Sequence, residues 1–425
     1  MSYADPVEMA VQAELNPHYT FAVHGQSSFP VWGRRLAEPQ PQRENQTPYS
    51  VTDPAEFSWD NFSDHENLHK IYTILKEKGG PAPGPDGISY SDLSVCEEWD
   101  LARWLKDCLR DGTYRPGPTR RIEIPRQGRA PRILNVSNLQ DRVVASALWL
   151  CFKPYWTQQL PRFGLPVFSV LANMQRTIRE RNAFVLAIDD VRDCFPSAPI
   201  ARVIECQSEH IQGRRVRQLV ERIIRGHDGP EEPTGLAQGS PYSPVAMELL
   251  LHNCLDQRLD ANGPGNPFEF RYVDNLVFIC RNESEGARVL ERCNDLLSGL
   301  NMNLKGQDGP PRDIRDPEFE CPILGLITGW NDDRMTFRIP ESAFEKLEDG
   351  IAVACLRTNP VTVTKAVIKG WLRSGVAPAL TNEESPGILE RVVRLAHSLG
   401  VTEICGCDFS DTVREAQQAW SDLSR

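Results

Sequence analysis

The spacing of apolar positions changes from segment to segment, and the changes mark the elements. In ENLHKIYTILKEKGG (66–80), Leu68, Ile71, Tyr72 and Leu75 recur at steps of three and four. That period predicts an amphipathic helix, with Gly79 as its stop. PAPGPDGIS (81–89) is a turn string. A helix at about 96–110, a basic strand pair at about 119–135 and a helical run at 141–156 follow. The centre reads differently. NAFVLAIDDV (182–191) is a short apolar run that ends in two carboxylates, and FEFRYVDNLVFIC (268–280) is a strand–turn–strand pattern broken at Asp274-Asn275. Helical segments near 200–225, 243–260 and 285–301 surround these strands, a short strand is expected at 322–330, and the chain beyond 340 reads as mostly helical. The whole is an α+β pattern without internal repeats, preceded by a Pro/Gln-rich linker at 37–48.

Composition narrows the classes. The net charge of −11 over 425 residues excludes a uniformly basic coat for nucleic acid, so any anionic ligand must be held by local patches. A hydrophobic share of 40% fits a packed globular protein rather than a disordered one. No run of 18 apolar residues predicts a membrane span, and the acidic start MSYADPVEMAVQAELNPHY does not read as a secretory leader. Twelve scattered cysteines read as thiols of a reducing cytosol; the spacing of Cys405 and Cys407 is too tight for an ordinary zinc pair.

The chemistry begins with the carboxylates. An apolar strand in a core should not end in an unpaired charge, because burial costs several kcal/mol. Two strands do so here, at Asp190 and at Asp274. A divalent cation between them would retain both, and oxygen-only ligation points to Mg2+ or Mn2+. Strand alternation puts Phe184, Leu186, Ile188 and Asp190 on one face and Asp189 on the other, so one of the adjacent pair points at the cation. Side chains at 274 and 275 should likewise point to opposite sides, leaving Asp274 alone to face Asp190. The alternative is that these aspartates are turn residues or arginine partners. Upstream, Arg120, Arg121, Arg126, Arg129 and Arg132 face only Glu123 within thirteen residues, a local charge of +4 on a hairpin with Gly128 at its turn. Guanidinium forks match phosphate oxygens, though a solvated charged hairpin would look the same. Ser243 before Pro244 reads as a helix N-cap. Arg214, Arg215, Arg217, Arg222 and Arg225 form a second basic run, on a helix, able to track a nucleic-acid backbone or simply to be solvated.

Here the residues resemble a family. AIDDVRDCFPS (187–197) resembles the first palm motif of reverse transcriptases, an aspartate followed five residues later by an aromatic, which selects Asp190 and Phe195. FRYVDNLVFI (270–279) resembles their Tyr-x-Asp-Asp hairpin, with Asn275 in place of the second Asp, and GLAQGSPYSPVAMELLL (235–251) resembles the Gln-Gly-x-x-x-Ser-Pro motif between them. Residues 114–149 and 66–88 look like the fingers of group II intron-type bacterial reverse transcriptases. GLNMNLKG (299–306), ILGL (323–326) and IKGWL (368–372) look like the later palm motifs and the thumb.

The resemblance implies a right-hand polymerase fold: an extension at 1–65, fingers at 66–181, a palm at 182–335 whose antiparallel sheet carries the carboxylates, and a helical thumb with a C-terminal extension at 336–425. It implies RNA-directed DNA synthesis by two-metal phosphoryl transfer. Asp190, Asp274 and the Val191 carbonyl would hold Mg2+, or Mn2+ in its place. Lys305 would protonate the leaving pyrophosphate. Arg126, Arg132, Gln238 and Gly239 would bind the deoxynucleoside triphosphate. Phe195 would gate its sugar, the alternative being an ordinary core aromatic. Arg120, Arg121, Arg129, Ser240, Leu324 and Gly325 would touch template and primer. Asn275 leaves room for a degenerate enzyme. No His/Cys-rich endonuclease module or RNase H-like acidic set is seen, and 163–177 departs from the intron pattern. The reading therefore narrows to the stand-alone, defence-associated (abortive-infection or unknown-group) branch, cytoplasmic, with a noncoding RNA as template and DNA as product. The alternatives are a template-independent or protein-primed polymerase of the same fold and a catalytically weak RNA-binding scaffold.

Overall fold

The computed structural model of the chain describes residues 47–424, apart from 79–81, 127–128, 161, 228–232, 260–266, 307–308, 317, 356–358 and 382; the side chains of 124–132, 268 and 353 also lie outside the described part. Most of the linker at 37–48, through residue 46, the Gly79 stop and the Gly128 turn therefore fall outside it.

The expected α+β class is the observed one. Among the described residues, three antiparallel sheets sit among helices. Strands β1 (Arg120–Arg126) and β2 (Arg129–Val136) form a hairpin. A four-stranded sheet follows the order β4-β5-β3-β6, from β3 (Val185–Asp190), β4 (Phe268–Tyr272), β5 (Asn275–Cys280) and β6 (Arg312–Asp313). A third sheet runs β7-β8-β9, from β7 (Cys321–Ile323), β8 (Leu326–Asn331) and β9 (Arg334–Arg338).

The four-stranded sheet separates two cores, and side-chain alternation assigns its faces. Val185, Ala187, Leu276, Phe278 and Cys280 pack into one core, with helices His65–Lys78, Leu139–Gln159, Ser243–Leu251 and Glu283–Ser298. Leu186, Tyr272, Val277 and Ile279 pack into the other, with helix Val167–Arg181, β7 to β9 and the C-terminal helices. A sheet buried on both faces explains why its strands read as apolar runs rather than alternating ones. The candidate chemistry lies at one end of these strands, at Asp190 and Asp274.

Local signals account for the helices. Leu68, Ile71, Tyr72 and Leu75 are all buried, as their spacing required. Helix Val95–Arg110 starts at a capping box: Ser94 Oγ accepts from the Glu97 amide, and the Glu97 carboxylate accepts from the Ser94 amide. Three expectations need correction. Residues 322–330 form a hairpin, not one strand, because Leu324 (φ 50°) and Gly325 (φ 90°) both take the left-handed region that a two-residue turn requires. Ser243 is the first residue of its helix; Tyr242 is the N-cap, and no side chain caps there. Cys405 and Cys407 form a disulfide rather than free thiols, since a single intervening residue lets the two sulfurs meet. No helix among the described residues is long and apolar enough to cross a membrane.

Candidate active site

The site forms at one end of the four-stranded sheet. Antiparallel register pairs Asp190, the last residue of β3, with Asn275, the first of β5. Tyr272 and Asn275 also pair across a two-residue turn made of Val273 and Asp274. Val273 takes φ 60°, an uncommon conformation for a β-branched residue that costs on the order of 1–3 kcal/mol. The Val191 amide donates to the Asp274 carbonyl at 2.9 Å, which ties the β3 end to this turn. Asp274 is thereby brought next to Asp190. Burial, and then the charge of Asp190, push its carboxyl above the ordinary carboxylate range.

Asn275 departs from the expectation that Asp274 alone faces Asp190. Residues directly opposite in an antiparallel pair share a face, so Asn275 lies on the Asp190 side. Its Nδ2 donates to Asp274 Oδ1 at 3.2 Å and to the Tyr272 carbonyl at 3.4 Å. The amide bonds to the carboxylate where a second aspartate would repel it.

Lys305 arrives on a strap. Its amide donates to the Asp190 carbonyl at 2.8 Å, and its ammonium pairs with the Asp190 carboxylate. Asp189 points to the other face, as alternation required, and is buried. Both of its carboxylate oxygens accept from the Gly306 amide at 3.1 Å, so Asp189 anchors the strap that presents Lys305. The strap was legible as a motif; its anchor was not, because nothing in an Asp-Asp pair says which backbone amide the second carboxylate will take.

Phe195 sits in the one-turn helix Cys194–Ser197, partly buried against the first core. Its carbonyl accepts from the Leu236 amide at 2.8 Å, and the Ala198 carbonyl accepts from Gly235 at 2.9 Å. The aromatic turn is thus joined to the loop of Gln238, Gly239 and Ser240. That loop docks on β2: the Asn135 amide donates to the Gln238 carbonyl at 2.7 Å. A Cβ on Gly239 would lie 2.6 Å from the Asn135 carbonyl oxygen. Gly239 is therefore required here by backbone against backbone.

The β1–β2 hairpin carries the expected arginines. Arg121 is exposed and pairs with Glu123 at 3.2 Å. Arg120 is half-buried, and the side chains of Arg126, Arg129 and Arg132 lie outside the described ones. Leu324 and Gly325 form the β7–β8 turn. The second basic run lies on helix Arg214–Arg225 and is partly consumed structurally: Arg217 donates to the Ile211 carbonyl, Arg222 to the carbonyls of Gly112 and Tyr114, and Arg225 pairs with Glu221.

The donor set fits a hard cation: two carboxylates, Asp190 at a strand end and Asp274 in the facing turn, the second held above its ordinary range by burial and then by the charge of the first. Among the described residues no group of three or more His, Cys, Asp or Glu gathers at one point, so the chain supplies few ligands and a substrate would have to supply more. One residue missed by motif reading is Arg271, which shares the short strand β4 with Glu269; two charges in a buried strand are themselves a signal.

No family model matches the chain. In sequence it is similar to Protein YkfC of Escherichia coli (strain K12), 35% identical over 200 residues, covering 44% of this chain and 52% of that protein. It is also similar to the Putative COX1/OXI3 intron 2 protein of Saccharomyces cerevisiae, 21% identical over 253 residues, covering 54% of this chain and 29% of that one. Among solved structures, telomerase from Candida albicans in complex with a TWJ fragment of telomeric RNA aligns with TM-score 0.37 and 8% identity, over 74% of this chain and 66% of that one. Apo telomerase from Candida tropicalis aligns with TM-score 0.43 and 10% identity, over 72% and 67%. The chain spans about half the length of the first curated relative and 29% of the second, and its kinship with both is one of sequence over that shared part.

Proposed function

We propose that the chain is a reverse transcriptase: a polymerase that adds deoxynucleotides to a 3′-hydroxyl by phosphoryl transfer. The observation that carries this reading is the strained turn that sets Asp274 beside Asp190 at the end of paired strands, with Lys305 bound to the same carboxylate. The motif order supports it, since hydrogen bonds tie Lys305 to Asp190, Val191 to Asp274, and Phe195 to Leu236 in the loop that leads to Gln238–Gly239.

Asp190, Asp274 and the Val191 carbonyl would hold two divalent cations, Mg2+ or Mn2+. Such ions acidify the attacking hydroxyl and offset charge on the leaving pyrophosphate. The oxygen of the 3′-hydroxyl, its proton passing to solvent water, bonds to the α-phosphorus as the bond to pyrophosphate breaks. Lys305, once released from Asp190, donates a proton to that pyrophosphate. Gln238 and Gly239, docked on β2, would place the nucleotide near the hairpin whose Arg126 and Arg132 grip its phosphates. Arg120, Arg121 and Arg129, with Ser240, Leu324 and Gly325, would contact template and primer. On this reading 66–181 are fingers, 182–335 palm and 336–425 thumb with its extension; the template is a noncoding RNA and the setting is antiphage defence.

Phe195 tests the sugar assignment. Phe195→Ala opens space beneath the ribose, and ribonucleotide incorporation rises roughly tenfold or more relative to deoxynucleotide. Unchanged discrimination by a folded variant would make Phe195 a core residue only.

One observation favours the scaffold reading: the Asp190 carboxylate is already paired with Lys305 inside the chain. Asn275→Asp separates the two. The change removes a donor to Asp274 and adds a third charge. A carboxyl already raised in the folded state is raised further, so stability falls as pH rises through the ordinary carboxylate range toward the folded value. Without metal, the variant melts lower than wild type at pH 7, and the gap narrows at pH 4. Millimolar Mg2+ restores it at pH 7 if the site binds cations. Equal melting with and without Mg2+ in both proteins would favour the scaffold.

A further inference from the structure

Arg271 lies in β4, three residues before Asp274, and its side chain is 0% exposed. A guanidinium has five N–H donors, and here all five are used. Nε donates to Asp256 Oδ1 at 2.8 Å, and Nη2 to Asp256 Oδ2 and Glu248 Oε1, both at 2.7 Å. Nη1 donates to Glu248 Oε2 at 2.7 Å and, with its remaining proton, to the Val273 carbonyl at 3.1 Å.

That last bond reaches the site. The Val273 carbonyl belongs to the peptide that leads into Asp274, and Val273 holds the left-handed φ of 60°. A β-branched residue leaves that conformation unless its surroundings over-determine it. The Arg271 fork is such a constraint. Its other anchor, Glu248, sits in helix Ser243–Leu251, which continues from the Gln238–Gly239–Ser240 loop. One buried guanidinium therefore joins that helix to the aspartate turn. A second arginine, Arg162, pairs with Glu269 at 2.9 Å and approaches Asp256 at 3.7 Å, but no bond from it reaches the turn.

We propose that Arg271 is a positioning residue: it fixes the Val273–Asp274 peptide through the Val273 carbonyl and so sets the Asp274 carboxylate for cation binding. The inference rests on the polymerase reading of Asp190 and Asp274. Lysine keeps the charge but has no planar fork, and it cannot bond two carboxylates bidentately and a carbonyl together.

The test compares wild type, Arg271→Lys, Arg162→Lys and Asp274→Ala as full-length protein. Free Mn2+ is titrated by its EPR signal, alongside thermal melting and steady-state nucleotide incorporation. Arg271→Lys weakens Mn2+ binding by about tenfold or more and lowers kcat, with the nucleotide KM within about threefold. Arg162→Lys, which disturbs the same buried network away from the turn, lowers the melting temperature but leaves Mn2+ binding unchanged. If Arg271→Lys does not fold, Glu248→Gln serves in its place and weakens Mn2+ binding in the same direction. Wild-type Mn2+ affinity in folded Arg271→Lys, or in Glu248→Gln, overturns the proposal. So does equal weakening in Arg162→Lys, which would make the effect one of stability. Asp274→Ala distinguishes the two levels: if it binds Mn2+ and incorporates nucleotide like wild type, the polymerase reading fails; if it loses both while Arg271→Lys keeps them, only the positioning role fails.

Discussion

Asp274→Ala, and equally Asp190→Ala, lowers nucleotide addition by about a thousandfold or more, while the protein stays folded. A thousandfold corresponds to roughly 4 kcal/mol of transition-state stabilisation, within what loss of a cation clamp removes. Folding survives for a reason visible in the site. The Asp274 carboxyl is raised by burial and by the neighbouring Asp190 charge, so its ionised form opposes folding above the ordinary carboxylate value. Alanine removes that cost at neutral pH. The variant therefore melts at or above wild type at pH 7 without metal, and the advantage shrinks as the pH falls toward and below the ordinary carboxylate value, where the wild-type carboxyl becomes protonated in the unfolded state as well. Parallel melts and primer-extension assays check both halves. Near-wild-type extension by a folded variant would remove Asp274 from the chemistry.

Gly239→Ala is the substitution with the largest expected effect on stability, about 3 kcal/mol. The new Cβ would lie 2.6 Å from the Asn135 carbonyl oxygen and 3.1 Å from Leu134 Cδ1. The first of these is backbone and cannot swing away. Gly239 also has φ 116°, a conformation open to glycine alone. Overpacking and strain each contribute on the order of 1–3 kcal/mol. The expected relaxation breaks the Asn135–Gln238 hydrogen bond and moves the loop off β2, so nucleotide KM rises with the loss of stability. Gly387→Ala is the control: Gly387 lies in helix Ser385–Ser398 with nothing within 4 Å of its Cβ position, and alanine there is neutral or stabilising by up to about 1 kcal/mol. Chemical denaturation of the three proteins checks the ranking. A Gly239→Ala protein as stable as wild type would mean the loop does not need β2.

The carboxylate strands were legible because charge at the end of an apolar run conflicts with burial, and few arrangements relieve that conflict. The helix at 65–78 was legible because its period was clean. Other features were not, each for a physical reason. Helix Val167–Arg181 was not predicted: it starts after Pro166 without a side-chain cap, and Asn182 ends it in the left-handed region instead of a glycine. The β7–β8 turn was hidden from the apolar pattern because Leu324 in a left-handed conformation is atypical, so 322–330 read as one strand, and only the resemblance of ILGL to a primer-seating hairpin pointed to it. The packing of Gly239 against the Asn135 carbonyl was not legible, because it depends on how the loop docks on β2. Asp189 and Arg271 depend on which backbone atoms lie beside them, which no local pattern encodes. Asn275 shows the limit of alternation, because the register across β3 and β5, rather than spacing along one strand, decides which residues share a face.

The central claim is that Asp190 and Asp274 form a working polymerase centre. The most direct measurement is incorporation of labelled deoxynucleotides by the purified chain with the RNA that copurifies with it, across Mg2+ and Mn2+ titrations, with Asp190→Ala beside it and the products sequenced. The account predicts metal-dependent DNA complementary to that RNA from wild type and none from the variant. A wild-type chain silent under every metal condition with its own RNA present, or equal synthesis by Asp190→Ala, would contradict it.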